Sequence, residues 1–159
     1  STNIAVVNIE DLINSNDSYK AVIKNIEKNQ SKYLNKLKKK ELLLEKKLLD
    51  IENDKLILSE QEINNKVLEY NKDLSNFRIL IDDFNNHYKI EISNIRKKFL
   101  EEIILLLEIY AKNNNIELIL DATNYLIASN SLNITEVINK ELLKVKINLE
   151  FNEFDENKL

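Results

Sequence analysis

INNKVLEYNKDLSNFRILIDDFNNHY, residues 63–88, decides the fold. At alternating spacings of four and three it reads Ile63, Val67, Tyr70, Leu74, Phe77, Ile81, Phe84, Tyr88, and every one is apolar or aromatic. A seven-residue repeat split four and three lays one narrow seam along a helix, the pattern of coiled-coil packing. Upstream, a thinner seam runs at strict intervals of seven through Ile23, Gln30, Leu37, Leu44, Ile51 and Leu58, with Gln30 its one polar member. No Gly or Pro interrupts the chain from Asp17 to Asn114, so nothing forces the backbone to break there. The two seams predict two long helices folded back on each other over residues 17–112.

Ser59-Glu60-Gln61-Glu62 fits a capping box, Ser at the cap and Glu three residues on. It places the tip of the hairpin at 58–62, the first arm running to about Leu58. Each arm then has about 45 residues, roughly 65–70 Å at the helical rise. A single unbroken helix is the alternative, and it would shift the seam's phase midway. Past Tyr88 the spacing becomes Ile92, Ile95, Phe99, Ile103, Leu106, Tyr110, close to 3.67 per turn, which relaxes the supercoil. From Ile103 through Ile104, Leu106 and Leu107 to Tyr110 the helix is apolar almost all round, so something must enclose it. Other copies of the chain are the expected enclosure.

On the N-terminal side, Ile4-Ala5-Val6-Val7 reads as a strand buried on both faces. Ile9 to Asn14 has room for a short helix with Leu12 and Ile13 inward, and Asn16 is the expected cap of the first long helix. On the other side, Asn113-Asn114-Asn115 ends the second helix, since Asn tolerates the left-handed conformation. Ile116–Asp121, with Ile119 and Leu120, and Tyr125–Ala128 read as two strands joined by a turn at 121–124. A last helix, capped by Asn133 or Thr135, is expected to reach about Ile147. Residues 149–159 are acidic and read as a loose tail. The fold class is therefore α+β: a long antiparallel helical hairpin on a small β-sheet base. The base takes in residues 1–16 and 113–148, and the expected self-association surface is Ile4, Val6, Val7, Ile103, Ile104, Leu106, Leu107, Ile119 and Leu120.

Composition supports long elements and few turns. The 159 residues are 31% charged and 7% aromatic with neither Gly nor Pro, the usual turn formers. With 25 Asn, helix propensity is weak and packing must supply the stability. No Cys is present, which excludes disulfides and thiol chemistry, and no stretch reaches the roughly 18 apolar residues of a membrane span. His87 is the sole histidine and reads as a surface helix residue, a poor metal ligand without a second His or Cys. Asp82 and Asp83 are adjacent and point apart. No Gly-rich loop or nucleophile–base pair is visible, so no enzyme, no cofactor and no metal are expected.

Charge is uneven. The net charge is −4, yet residues 20–47 hold 10 Lys against 3 Glu while the flanks are acidic. Lys36, Lys38, Lys39 and Lys40 either solvate a helix or attract acidic partners or an anionic membrane surface. The acidic flanks and total argue against nucleic acid. Leu68, Ile79 and Leu80 lie off the seam, and two helices cannot bury them all against each other. They either widen the interface or form an apolar lining for a bound partner.

The flanks carry a family resemblance. IAVVNIEDLINS at 4–15, ELILDATNYLIAS at 117–129 and SLNITEVI at 131–138 resemble the opening, the post-hairpin strand pair and the final signature of the Skp/OmpH family of periplasmic chaperones. Asn8 and Asn133 stand where that family more often has acidic residues, and the turn at Asn113–Asn115 lacks its usual Gly. The resemblance covers residues 3 to about 145. It implies a homotrimer whose hairpins surround a cavity, export to the periplasm, and ATP-independent holding of unfolded outer-membrane β-barrel proteins. No signal peptide is visible, and a chain opening Ser1-Thr2 reads as already processed. The family's arms are strongly basic throughout; here the total is acidic, so no lipopolysaccharide site is carried over. On the residues alone, a coiled-coil spacer without a client and a prefoldin-like cytosolic chaperone remain open. Prefoldin chains differ in setting their strands between two free helical arms.

Overall fold

In a computed structural model, which describes residues 2–159, the apolar run Ile4–Val7 forms strand β1 and is central to its surroundings. It pairs in parallel with β2, Leu118–Asp121, in the register Ile4↔Leu118 to Val7↔Asp121. On its other edge the Ile134 N–H donates to the Val6 carbonyl at 2.9 Å. With both edges paired and both faces covered, Ala5, Val6 and Val7 are at most 3% exposed. Parallel strands need a long crossover, and here the crossover carries both long helices.

Helix α1, Ile9–Asn14, starts where the Asn8 side chain accepts the Asp11 N–H, and it buries Leu12 and Ile13. Asn16 then caps α2, Asp17–Asp54, accepting the Tyr19 N–H at 3.0 Å. The return helix α3, Glu60–Asn113, opens with the expected capping box: Ser59 Oγ accepts the Glu62 N–H, and the Glu62 carboxylate accepts the Ser59 N–H. The turn lies slightly earlier than the sequence suggested. The first arm stops at Asp54, whose carbonyl accepts the N–H groups of both Ile57 and Leu58 and closes the chain on itself. Leu56 and Ile57 are consequently exposed.

Past the end of α3 at Asn113 the chain turns at Asn115, which holds φ 53°, and the Ile116 N–H reaches back to the Ala111 carbonyl at 2.9 Å. Asn thus supplies the left-handed cap that Gly usually provides. Two expectations beyond this point are corrected. Tyr125–Ala128 is not a strand. The Asp121 carboxylate accepts from both the Thr123 N–H and its hydroxyl, winding 122–124 into a 3-10 turn where a hairpin was expected, and Leu126 and Ile127 are left exposed. The last helix, α4, Thr135–Leu142, stops five residues short of Ile147. From Val145 through Ile147 and Leu149 to Phe151 the half-covered residues alternate with exposed ones. That period of two belongs to extended chain and conflicts with a helix.

The chain divides into two compact units. The body unit runs to Asn25 and resumes over Glu91–Phe151. Its core is Ala5, Val6 and Val7 of β1 with Leu12, Ile13, Val22, Ile95, Phe99, Ile103, Ile134, Ile138 and Leu142, each at most 6% exposed. Tyr19 meets Phe99 edge to face at 5.2 Å. The arm unit is Ile26–Ile90 with Asn152–Leu159.

The seam of α3 is where the sequence put it, half-buried from Ile63 to Ile81 and buried at Phe84 and Tyr88. The seam of α2 is corrected in its first half. Val22, Ile26 and Tyr33 are buried, while Ile23 and Gln30 are half-covered at its border; from Leu37 through Leu44 to Ile51 the expected positions hold. The step from Tyr33 to Leu37 is a four-residue insertion into the three–four rhythm, which shifts the seam around the helix.

Candidate interaction surface of the arm

Lys36, Lys38, Lys39 and Lys40 all lie on α2 within the arm unit, but they do not act as one patch. Lys38 and Lys39 are exposed. Lys40 lines an open groove of about 420 Å³ between α2 and α3, together with Leu43, Lys47, Phe77, Leu80 and Lys158. Lys36 is paired with Glu156 of the C-terminal segment. That pairing, hydrogen bond first and charge second, holds the Glu156 carboxyl below its ordinary value.

The off-seam apolar residues divide in the same way. Leu80 is half-buried in the groove, whereas Leu68 and Ile79 are exposed at 67% and 58% on the outer face of α3. Leu42, Leu43, Leu48 and Leu49 are similarly exposed on α2. The arm therefore presents a groove in which Lys40, Lys158 and the Lys47–Asp73 pair border an apolar floor, flanked by separate aliphatic side chains. Such a surface suits many weak contacts with an extended chain better than one tight pocket.

The segment expected to be loose is seated on the arm. Phe154 is 4% exposed and meets Phe84 and His87 edge to face at 5.2 and 5.6 Å. Its N–H donates to the Tyr88 hydroxyl at 3.4 Å, and His87 Nε2 lies 2.7 Å from the Asn152 carbonyl. The Glu153 carboxylate accepts from Asn29 at 2.8 Å and from the Tyr33 hydroxyl at 3.0 Å. That hydrogen bond, aided by burial, pushes the Tyr33 phenol up to about 12. His87 is therefore half-covered and engaged, not a bare surface residue. A signal for this seat was present: Tyr33, His87 and Tyr88 add three polar-ended rings on the two helices, and EFNEF at 150–154 places two Phe in a stretch otherwise acidic.

In the body unit, the residues expected at a self-association surface separate by burial. Val6, Val7, Ile103 and Leu107 are buried by the chain's own packing; Ile4, Leu106, Ile119 and Leu120 are half-buried; Ile104 is 43% exposed. Leu105, Ile109, Leu126 and Ile127 are more open still. The all-round apolar turn is thus enclosed on one side by β1's surroundings and open on the other.

Asp121, the residue that closes β2, ties the body's segments together. Its carboxylate accepts the Ile9 N–H at 3.0 Å, while the Asn8 N–H donates to the Thr135 hydroxyl at 2.9 Å. Burial alone would push the Asp121 carboxyl up. The bonds from Ile9, Thr123 and Ala122 outweigh it and hold the group below the usual carboxylate range. Among the described residues, no group of three His, Cys, Asp or Glu could hold a metal ion, and no helix is long and apolar enough to cross a membrane.

The sequence profile of the family described as outer membrane protein (OmpH-like) matches residues 3–142. The chain belongs to the OmpH-like family. A solved structure from Caulobacter crescentus, titled as an OmpH-like outer membrane chaperone, aligns with a TM-score of 0.70 over 99% of this chain and 94% of that one, at 11% identity. At that identity the likeness shows the fold, and it is the OmpH-like fold: a long helical hairpin with a small two-stranded sheet. No curated protein matches the chain. Phe154 and the segment that carries it fall outside the matched residues 3–142, whereas the residues that receive it lie within them.

Proposed function

We propose that the chain is an ATP-independent periplasmic holdase that keeps unfolded outer-membrane β-barrel proteins from aggregating. Membership of the OmpH-like family supports a chaperone role. The observation that carries the finer reading is the arm itself. Leu42, Leu43, Leu48, Leu49, Leu68 and Ile79 are left 44–67% exposed along helices that also bear the Lys38–Lys40 run. A client that is unfolded offers scattered apolar side chains and charges, and such an arm meets both without selecting one shape.

Three copies associating through the open faces of the body would set three arms around one client. Ile104, Leu105, Ile109, Leu126 and Ile127 are the residues such an assembly would cover. Sedimentation equilibrium tests this part, and a stable folded monomer at micromolar concentration refutes it.

The test of holding is light scattering of a urea-diluted outer-membrane protein, with and without the purified chaperone. Aggregation should fall at modest molar excess with no nucleotide present. Replacing Leu68, Ile79 and Leu80 by Ser should weaken holding with little dependence on salt. Replacing Lys38, Lys39 and Lys40 by Gln should slow capture of an acidic client and flatten its salt dependence, because exposed charges are screened over about 8 Å at physiological ionic strength. Unchanged aggregation at several-fold excess refutes holding and leaves a spacer role.

A further inference from the structure

The segment Asn152–Lys158 binds the arm as a separate peptide would. One side chain, Phe154, fills a recess between Phe84 and His87. Two contacts go to its backbone, from Tyr88 to the Phe154 N–H and from His87 to the Asn152 carbonyl. Two carboxylates, one residue before the ring and two after it, are taken by Asn29 with Tyr33 and by Lys36. Backbone contacts carry no sequence information, so the requirement reduces to an aromatic ring on extended chain with one acid just before it and another two residues after it, where a 3-10 turn begins at Glu156. The receiving side is also built for a polar guest. Tyr33 and Tyr88 are at most 2% exposed, yet their hydroxyls are satisfied in part by this segment.

We infer that this seat is a docking site for extended client segments bearing an aromatic residue flanked by carboxylates, and that the C-terminal segment is its built-in competitor. The client class rests on the holdase reading above; the seat and its competition do not. The competitor is tethered, and short tethers give effective concentrations in the millimolar range. A client segment must therefore arrive with several attachments at once to displace it. The aliphatic residues further along the arm, and the adjoining groove that Lys158 helps line, provide such attachments.

The probe is a fluorescent peptide of residues 152–159, and the hosts are the full chain and its Phe154→Ala variant. Anisotropy should show the peptide binding the variant about tenfold or more tighter than the unaltered chain, because the tethered occupant has been removed. A peptide that itself carries Phe154→Ala should not bind. Tyr33→Phe with Lys36→Gln in the host should weaken binding, and Lys112→Gln, exposed in the body unit, should leave it unchanged. If Phe154→Ala lowers helical circular dichroism, Glu153→Gln with Glu156→Gln serves as the host, keeping the ring and loosening the clasp, with a severalfold gain expected. Equal binding to both hosts, no binding to either, or indifference to the peptide's Phe overturns the seat. Light scattering on the same two hosts separates the readings. If neither holds client, the holdase reading fails while the peptide result still decides the seat. If client is held and excess peptide never releases it, the client class is overturned.

Discussion

In the body unit Ile95, Phe99 and Ile103 follow one another along α3, each at most 1% exposed; in the arm unit the seam of the same helix is only half-buried from Ile63 to Ile81. The side chains are alike in kind, and what differs is the number of elements around them. In the body α3 meets α1 through Arg96 and Glu10, Tyr19 through Phe99, and the end of α4 beside Phe99, so its inward apolar residues are covered from several sides while Ile104, Leu105 and Ile109 stay open. Two helices alone cover one stripe on each other and leave the rest to solvent. The arm reaches full burial at Phe84 and Tyr88 where a third element, the C-terminal segment, lies against them. Along α3, completeness of burial follows the count of packed elements more than the apolarity of the sequence; on α2 the hairpin's own two helices suffice to bury Ile51, at 5% exposed.

The largest expected effect breaks the comparison at its core. Phe99→Ala should cost about 3–5 kcal/mol, the range for removing a fully buried aromatic. Phe77→Ala, on the half-covered arm seam, should cost about 1 kcal/mol because little of its area is withdrawn from water. Urea unfolding followed by far-UV circular dichroism measures both. Equal losses at the two positions would mean that the arm is enclosed as fully as the body.

A smaller effect sharpens the same contrast through pH. The Asp121 carboxyl is held low in the folded body, by bonds that outweigh its partial burial. A folded-state value below the unfolded one contributes stability above the unfolded pKa, and that contribution is lost as pH falls through the lower folded value. The loss should begin below about pH 4, the ordinary range of an Asp. Asp121→Asn should cost about 1 kcal/mol at neutral pH through the weakened bonds to Ile9 and Thr123, and it should lose less than the parent between pH 5 and pH 3. An identical acid loss in both proteins would show that other carboxylates govern it.

Much of this was legible in the sequence because it rests on local chemistry. The capping box at Ser59 and Glu62, the Asn16 cap and the left-handed Asn115 each need only neighbours a few residues away. The 4–3 rhythm of α3 was read correctly for the same reason. The first half of the α2 seam was missed because a strict interval of seven hides the shift between Tyr33 and Leu37. The strand expected at Tyr125–Ala128 failed because β-propensity does not say whether an edge is at hand, and the Asp121 side chain turns the chain before it can pair. The seat of Phe154 was the largest omission. An acidic composition suggested solvation, but one aromatic and one lysine partner suffice to hold eight residues when the receiving helices carry Tyr33, His87 and Tyr88.

The smallest expected effect lies in the ion pairs that join the two helices of the arm. Lys47 pairs with Asp73, and Lys66 meets Asp54 at 2.6 Å, beside the turn. The pairing raises each ammonium's pKa, with the hydrogen bond to its carboxylate as the leading cause. All four side chains keep 30–50% of their surface in water, so solvent competes for both charges and the order cost of two long side chains remains. Each pair should therefore give only the small coupling of a solvent-exposed ion pair in a double-mutant cycle using Lys47→Gln with Asp73→Asn, or Lys66→Gln with Asp54→Asn. The coupling should vanish near 1 M salt, where screening shortens to about 3 Å. Their consequence for register is one-sided: a slip of one turn toward Phe77 would set Lys47 against Asn76 or Phe77, whereas the opposite slip would bring Glu69 into reach. If a cycle returned a large coupling that salt left unchanged, the pair would be desolvated, and the open, half-covered arm would have to be closed around it.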